Sequence, residues 1–336
     1  MRASAAFLAA TIGLAGCAGL PVYNPVLPAL PTASLQAAAA FVMPDGARLP
    51  VREWLPAGPP RAVILALHGF NDSRDAFEIP GPAFARAGIA VFAPDQRGFG
   101  AAPGRGRWQG ADRMADDAAA MLATLRRTYP AVRLFAMGES MGGAVLMRLA
   151  SRPTAPALDG WILLSPAVWG RQQMGVGLSS GLWLVSNVLP GLSVSGNEVR
   201  LKVTASDNRD ALLRLARDPL TIRRTRFDTL RGLTDLMDDA QAAAPRLPGP
   251  VLALYGERDM IVPVAAAARA WDRMPVTARR GLYPSGYHLL LRDRGRRAVI
   301  ADVIAWIGDG SAPLPSGADQ WARRWLAWHQ ASHEAD

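Results

Sequence analysis

Apolar residues fall along this chain in short runs that stop abruptly at glycine, proline or a polar cluster. Arg61 to Leu67 ends at His68-Gly69, Ile89 to Ala93 at Pro94-Asp95, and Val132 to Met137 at Gly138-Glu139-Ser140. Trp161 to Leu164 ends at Ser165-Pro166, Val251 to Tyr255 at Gly256, and Arg279 to Tyr283 at Pro284-Ser285-Gly286. Runs this short and this apolar predict strands buried on both faces. Between them the period changes. From about Asp112 to Tyr129, Met114, Ala118, Met121, Leu122 and Leu125 recur at helical spacing, and Gly143 to Ala150 reads as a helix start. Near the beginning, Asp45-Gly46 is a hairpin signal ahead of the strand-like Ala47 to Leu55. Strands alternating with helices predict an α/β fold with a mostly parallel central sheet and helices on both faces. Ligands of such sheets bind beyond the carboxyl ends of the strands, where the polar clusters of this chain lie.

The alternation breaks at about 167–231, after the sixth strand. Met174, Val176, Leu178, Leu182, Trp183, Leu184, Val185, Val188 and Leu189 crowd together there, followed by basic, helix-like sequence. An insertion at this point would form a helical cap over the strand ends, within a domain spanning 35–310. Ser311 to Gly317 then interrupts the chain, and 311–336 reads as a linker with an amphipathic helix. Trp321, Trp325 and Trp328 share one side of it, beside Arg323 and Arg324. That stripe is expected to dock on the domain's own surface, with contact at a membrane interface as the alternative.

Half of the 336 residues are hydrophobic and 19% are charged, which suits a folded chain with a sizeable core. The net charge of +9 is carried by arginine, because Lys202 is the only lysine. The basic residues are dispersed and no nucleic-acid motif accompanies them, so no nucleic-acid partner is expected; attraction to anionic lipid fits better. A single cysteine, Cys17, excludes an intrachain disulfide. Met1-Arg2, the apolar run Ala5 to Leu14 and the small residues before Cys17 have the shape of a secretory signal over 1–16. Leu14-Ala15-Gly16-Cys17 resembles the lipobox of bacterial lipoproteins, which implies lipid attachment at Cys17. Ala18 in the next position implies sorting to the outer membrane, facing the periplasm. Residues 17–34, with Pro21, Pro25, Pro28 and Pro31, read as an extended tether.

The chemistry centres on Gly138-Glu139-Ser140-Met141-Gly142, a G-x-S-x-G pattern between a predicted strand and a predicted helix. A serine on such a turn is lifted off the sheet edge at a helix N-terminus. To act as a nucleophile it needs a histidine to take its proton and an acid to hold that imidazole. Only four histidines exist: His68, His288, His329 and His333. In the chain order that goes with this turn the base follows the serine. His329 and His333 lie in the polar terminal tail, leaving His288 on a loop after a strand. Asp259, after Val251 to Tyr255, is the best-placed acid between the two. Glu257 is a conceivable substitute closer to the strand, whereas Asp235, Asp238 and Asp239 fall in a helical stretch and are expected to be solvated. Two backbone N–H groups should face the developing oxyanion: that of Met141, after the nucleophile, and that of Phe70 in His68-Gly69-Phe70. His68 is expected to structure its loop.

These segments resemble the α/β-hydrolases of the monoacylglycerol lipase and lysophospholipase group, related to the serine aminopeptidase-like hydrolases. The resemblance runs over roughly residues 40 to 308 and rests on His68-Gly69-Phe70, Asp95 to Gly100, Gly138 to Gly143, Gly256 to Asp259 and Tyr287-His288. Val188 to Leu192 and Asp218-Pro219-Leu220 add to it in the cap. It implies the α/β-hydrolase fold, a triad of Asp259, His288 and Ser140, no metal or organic cofactor, and a lid that admits one acyl chain. Two positions depart from the group, Gln96 where histidine is common and Glu139 where histidine or glycine is common; Glu139 could influence pKa values beside the nucleophile. The expected activity is hydrolysis of a single fatty-acyl ester, in a monoacylglycerol or lysophospholipid, through an acyl-enzyme. Acyl transfer or aminopeptidase-like hydrolysis on the same residues, and a non-catalytic lipid-binding lipoprotein, are the alternatives.

Overall fold

The computed structural model describes residues 39–195 and 203–334. Cys17, the signal-like segment before it and the proline-rich tether lie outside the described residues. The chain enters through a hairpin, β1 (Ala39–Val42) and β2 (Arg48–Trp54), closed where Met43 and Ala47 bond across Asp45-Gly46. Next come β3 (Ala62–Leu67), a 3-10 turn at Arg74–Phe77, α1 (Gly81–Arg86), β4 (Ile89–Pro94), α2 (Ala111–Thr128), β5 (Arg133–Glu139), α3 (Met141–Ala150) and β6 (Gly160–Leu164). The intervening segment holds α4 (Arg171–Met174), α5 (Val176–Val188), β7 (Ser193–Ser195), α6 (Arg209–Arg217), β8 (Arg224–Arg226) and α7 (Phe227–Ala243). The main sheet resumes with β9 (Val251–Gly256), α8 (Val264–Arg273), β10 (Arg279–Tyr283), α9 (Arg296–Gly308) and α10 (Ala318–Glu334).

Eight strands form the sheet in the order β1-β2-β4-β3-β5-β6-β9-β10, with β7 and β8 paired separately. From β4 to β10 all neighbours are parallel, and β2 alone is reversed, antiparallel to both β1 and β4. This is the α/β-hydrolase arrangement, with the inserted segment after the sixth strand. Period-two alternation divides the core in two. Val63, Leu65 and Leu67 of β3, with Leu134 and Ala136 of β5, face the layer of α2, α3, α7 and α8. Ala62, Ile64 and Ala66, with Phe135 and Met137, face α1 and α9. Strands buried on both faces in this way need apolar residues throughout, which is why they read as continuous runs.

Three features differ from the expectation. Helix α7 lies along α3 and buries Leu230, Leu233, Leu236 and Met237 in the main core, so residues from Phe227 onward pack with the sheet layer and not over it. Asp235 and Asp238 are ion-paired with Arg171, and Asp239 lies 3.0 Å from Arg148; they are held by partners rather than simply solvated. The tryptophan stripe of α10 splits. Trp325 is buried edge-on to Trp271 at 5.7 Å, while Trp321 and Trp328 are 48% and 64% exposed. The inward side of α10 is instead Ala318, Ala322 and Trp325. Ala318 joins one core layer and Ala322 the other, so the helix wraps the edge strand β10 and covers it. Among the described residues no helix is long and apolar enough to cross a membrane.

Candidate active site

Ser140 stands alone between β5 and α3, with φ 53° and ψ −115°. A non-glycine residue in this region costs about 1–3 kcal/mol and persists only where its surroundings enforce it. Its N–H donates to the Leu164 carbonyl at 2.9 Å, and its carbonyl accepts from Ala144 and Ala167 at 3.1 and 3.0 Å. The strand on one side and the helix on the other leave the chain no relaxed alternative. A Cβ on Gly142 would lie 2.3 Å from the Leu67 carbonyl oxygen, and one on Gly138 2.5 Å from the Gly142 carbonyl. Glycine is required at both because the backbones touch.

His288 and Asp259 are brought together from two loops. Backbone bonds from Arg258 N–H to Gly286 (2.9 Å) and from Glu257 N–H to Tyr283 (3.0 Å) lock the β9 and β10 loops to each other. His288 Nδ1 then lies 2.7 Å from Asp259 Oδ2, with both side chains out of solvent. Asp259 Oδ1 accepts from the Ile261 and Val262 N–H groups at 2.7 and 3.0 Å, which fixes the carboxylate. With Nδ1 turned to the carboxylate, Nε2 is the free ring atom. It is buried, has no hydrogen-bond partner, and the Ser140 hydroxyl makes none to it. Burial, the largest influence, disfavours the imidazolium. The Asp259 charge and hydrogen bond and the Glu139 charge outweigh it against Arg292, so the His288 pKa is raised above its ordinary value. Glu257 is exposed.

Met141 follows Ser140 directly, and Phe70 lies on the loop after β3. Among the described residues neither backbone N–H has an acceptor. The loop that carries Phe70 approaches so closely that a Cβ on Gly69 would come 3.4 Å from Ser140 Cβ. His68 builds this loop: its Nε2 accepts from the Gln96 N–H at 3.0 Å, which leaves Nδ1 to donate to Gly69 O at 2.8 Å. The Gln96 side chain adds a bond to His68 O at 2.7 Å, which accounts for glutamine at that position. Asn71 takes a left-handed φ of 61° and is held by the inserted segment, through Thr225 Oγ1 (2.7 Å) and the Ile222 N–H (2.9 Å).

A buried charge cluster went unread in the sequence. Arg292 Nη2 lies 2.6 Å from Asp72 Oδ2 and 2.5 Å from Glu139 Oε1. Next to it, Asp293 accepts from Ser206 Oγ at 2.6 Å and from the Tyr287 N–H at 2.7 Å, and burial pushes its carboxyl up to about 6. Charged residues set directly against apolar runs, as in Leu289-Leu290-Leu291-Arg292-Asp293, were the available signal. Asp72 and Arg292 also line a cavity of about 370 Å³ that extends to Leu215, Asp218 and Leu220. Among the described residues no group of three or more His, Cys, Asp or Glu side chains could hold a metal ion.

The sequence model of the Hydrolase_4 family, described as Serine aminopeptidase, S33, matches residues 58–295. The chain is 25% identical over 275 residues to a monoacylglycerol lipase of Mycolicibacterium smegmatis, covering 80% of this chain and 95% of that protein. It is 27% identical over 276 residues to a monoglyceride lipase of Rattus norvegicus, covering 80% and 89%. Among solved structures, the monoacylglycerol lipase of Paleococcus ferrophilus superposes with a TM-score of 0.66 at 23% identity, covering 78% of this chain and 99% of that one. A soluble variant of the Saccharomyces cerevisiae monoglyceride lipase, solved with a substrate analog, gives 0.67 at 19% identity, covering 87% and 100%.

Proposed function

The chain belongs to the Serine aminopeptidase, S33 family of hydrolases, and on that footing we propose that it is a serine esterase cleaving one fatty-acyl ester from a monoacylglycerol or lysophospholipid. The observation that carries the reading is the buried His288–Asp259 pair, with Nε2 unbonded, together with a serine held in a strained turn. Ser140 Oγ attacks the ester carbonyl carbon and His288 Nε2 takes its proton. The carbonyl oxygen gains the negative charge and receives the Phe70 and Met141 N–H groups, donors of a kind each worth about 10²–10³ in turnover. Collapse breaks the ester C–O bond, and His288 returns the proton to the departing alkoxide. Water then attacks the Ser140 ester, giving up a proton to His288, and the fatty acid leaves with Ser140 restored. Asp259 orients the imidazole and stabilises its protonated form.

The names of the relatives favour an acyl ester with one chain, and the apolar inserted segment suits it: Met174 and Leu182 are buried, and Trp183, Leu184 and Val188 stay exposed on α5. The protein is further read as a lipoprotein anchored at Cys17 to the outer membrane, facing the periplasm, where such lipids are at hand. Ester turnover should be measured on monoacylglycerols, lysophospholipids, short nitrophenyl esters and peptides, with Ser140→Ala as blank. Turnover of single-chain esters and fluorophosphonate labelling, both lost in Ser140→Ala, is expected. Turnover of peptides alone, or activity that survives the substitution, overturns the reading. Labelled lipid should be incorporated and should vanish in Cys17→Ser; an unlabelled, soluble mature protein overturns the anchor.

A further inference from the structure

We propose that Arg292 is a positioning residue that binds the serine turn, the Phe70 loop and the histidine loop into one unit through Glu139 and Asp72. The proposal rests on the serine-hydrolase reading of the site. Each participant stands next to a reacting group along the chain. Glu139 immediately precedes Ser140, Asp72 lies just beyond Phe70, and Arg292 follows His288 by one helical turn's worth of residues. All three are buried, at 1%, 5% and 5% exposure. One guanidinium nitrogen, Nη2, serves both carboxylates, at 2.6 and 2.5 Å.

A cluster evolved for stability alone would satisfy its donors more fully. Here Arg292 Nε is buried without a partner, and two carboxylates share one cation. Buried ion pairs of this kind are weak stabilisers, since desolvation offsets their attraction, but breaking one strands a charge. What the cluster does provide is geometry. The serine, the oxyanion donor and the base come from three separate loops, and an arginine in contact with all three limits their relative movement. Displacing reacting groups by about 1 Å can cost ~10²-fold in rate.

The same cluster acts on the base electrically. The charged groups that bear on His288 are Asp259 from the β9 loop, Glu139 from the end of β5 and Arg292 from its own loop. Glu139 favours the imidazolium and Arg292 disfavours it. Removing the Glu139 charge and removing the Arg292 charge should therefore move the proton equilibrium of His288 in opposite directions.

The test is the pH dependence of kcat/KM for a short nitrophenyl ester in wild type, Glu139→Gln, Arg292→Gln and the double variant. Glu139→Gln should move the acid limb to lower pH and Arg292→Gln to higher pH, with the double variant near wild type. Arg292→Gln should lower kcat ~10²-fold with KM for the short ester little changed, and Arg292→Lys should restore the limb. If Arg292→Gln does not fold, Glu139→Gln, which leaves Arg292 paired with Asp72, and Arg292→Lys still decide the matter. Coincident limbs, or shifts in the same direction, in variants that still label with fluorophosphonate overturn the positioning role alone. A wild type that neither labels nor turns over ester overturns the hydrolase reading, and this proposal with it.

Discussion

His288 Nδ1 and Asp259 Oδ2 lie 2.7 Å apart with no solvent at either side chain, so the imidazole is fixed in the tautomer that leaves Nε2 to receive a proton. Asp259→Asn should preserve the fold and lower kcat about 10⁴-fold, the scale expected when the tautomer is wrong. Glu257→Gln should change kcat little, since Glu257 is exposed. His288 must be neutral to act as base, and its pKa is raised. The acid limb of kcat/KM should therefore fall above the ordinary 6.5. A limb below that value would show that burial wins over the carboxylates.

Gly142→Ala should cripple the protein through packing. Its added methyl would meet the Leu67 and His68 carbonyls at 2.3 and 2.8 Å, and both belong to backbone that cannot retreat without moving Phe70. Gly181→Ala on α5 is the control, because nothing lies within 4 Å of it. Thermal unfolding should show a large fall for the first and a gain of about 0.5–1 kcal/mol for the second. Equal stabilities would contradict the close approach.

Trp325→Ala should cost about 3–5 kcal/mol, as for other buried tryptophans, because it strips the cover from Trp271 and the β10 edge. Trp328→Ala, at 64% exposure, should leave unfolding almost unchanged. Denaturant titration of both variants separates the inward from the outward part of α10.

Asp293 gives a pH signature of stability. Its folded-state pKa of about 6 exceeds the ordinary 3.8. Between these values the folded protein binds more protons than the unfolded chain, so the contribution of Asp293 to stability declines as pH rises. The decline should amount to about 3 kcal/mol by neutral pH. Asp293→Asn lacks it, so the stability difference, wild type minus variant, should fall between pH 4 and pH 7. Parallel stability curves would show that Asp293 is ionised at no cost.

Ser140, Asp259 and His288 stood out as candidates because each lies just past an apolar run, and strand ends converge on one side of a parallel sheet. Scarce histidine did the rest. The chain also disclosed β3 to β6, β9 and β10, whose composition follows from burial on both faces. Arg292 was not legible. Its partners lie in loops far away along the chain, and only the fold brings Asp72 and Glu139 to one guanidinium. The tryptophans of α10 misled for a related reason: helical spacing tells which residues share a side, not how wide a strip the edge strand will cover. Strand β1 was missed because Ala39–Val42 is short and takes its shape from pairing with β2.

The contacts of Asn71 have a consequence for any attempt to redesign this molecule. Asn71, next to Phe70, the proposed oxyanion donor, is pinned by Ile222 and Thr225, and the Arg105 guanidinium grips the carbonyls of Gly100, Pro219, Leu220 and Thr221. The working seam therefore runs inside the insertion and not at its base. A graft that stops short of β7 keeps the β7–β8 pairing, and with it Val194 opposite Thr225. One that also replaces residues 218–225 would take away what holds Asn71, and with it the support of the loop whose Phe70 is the proposed oxyanion donor.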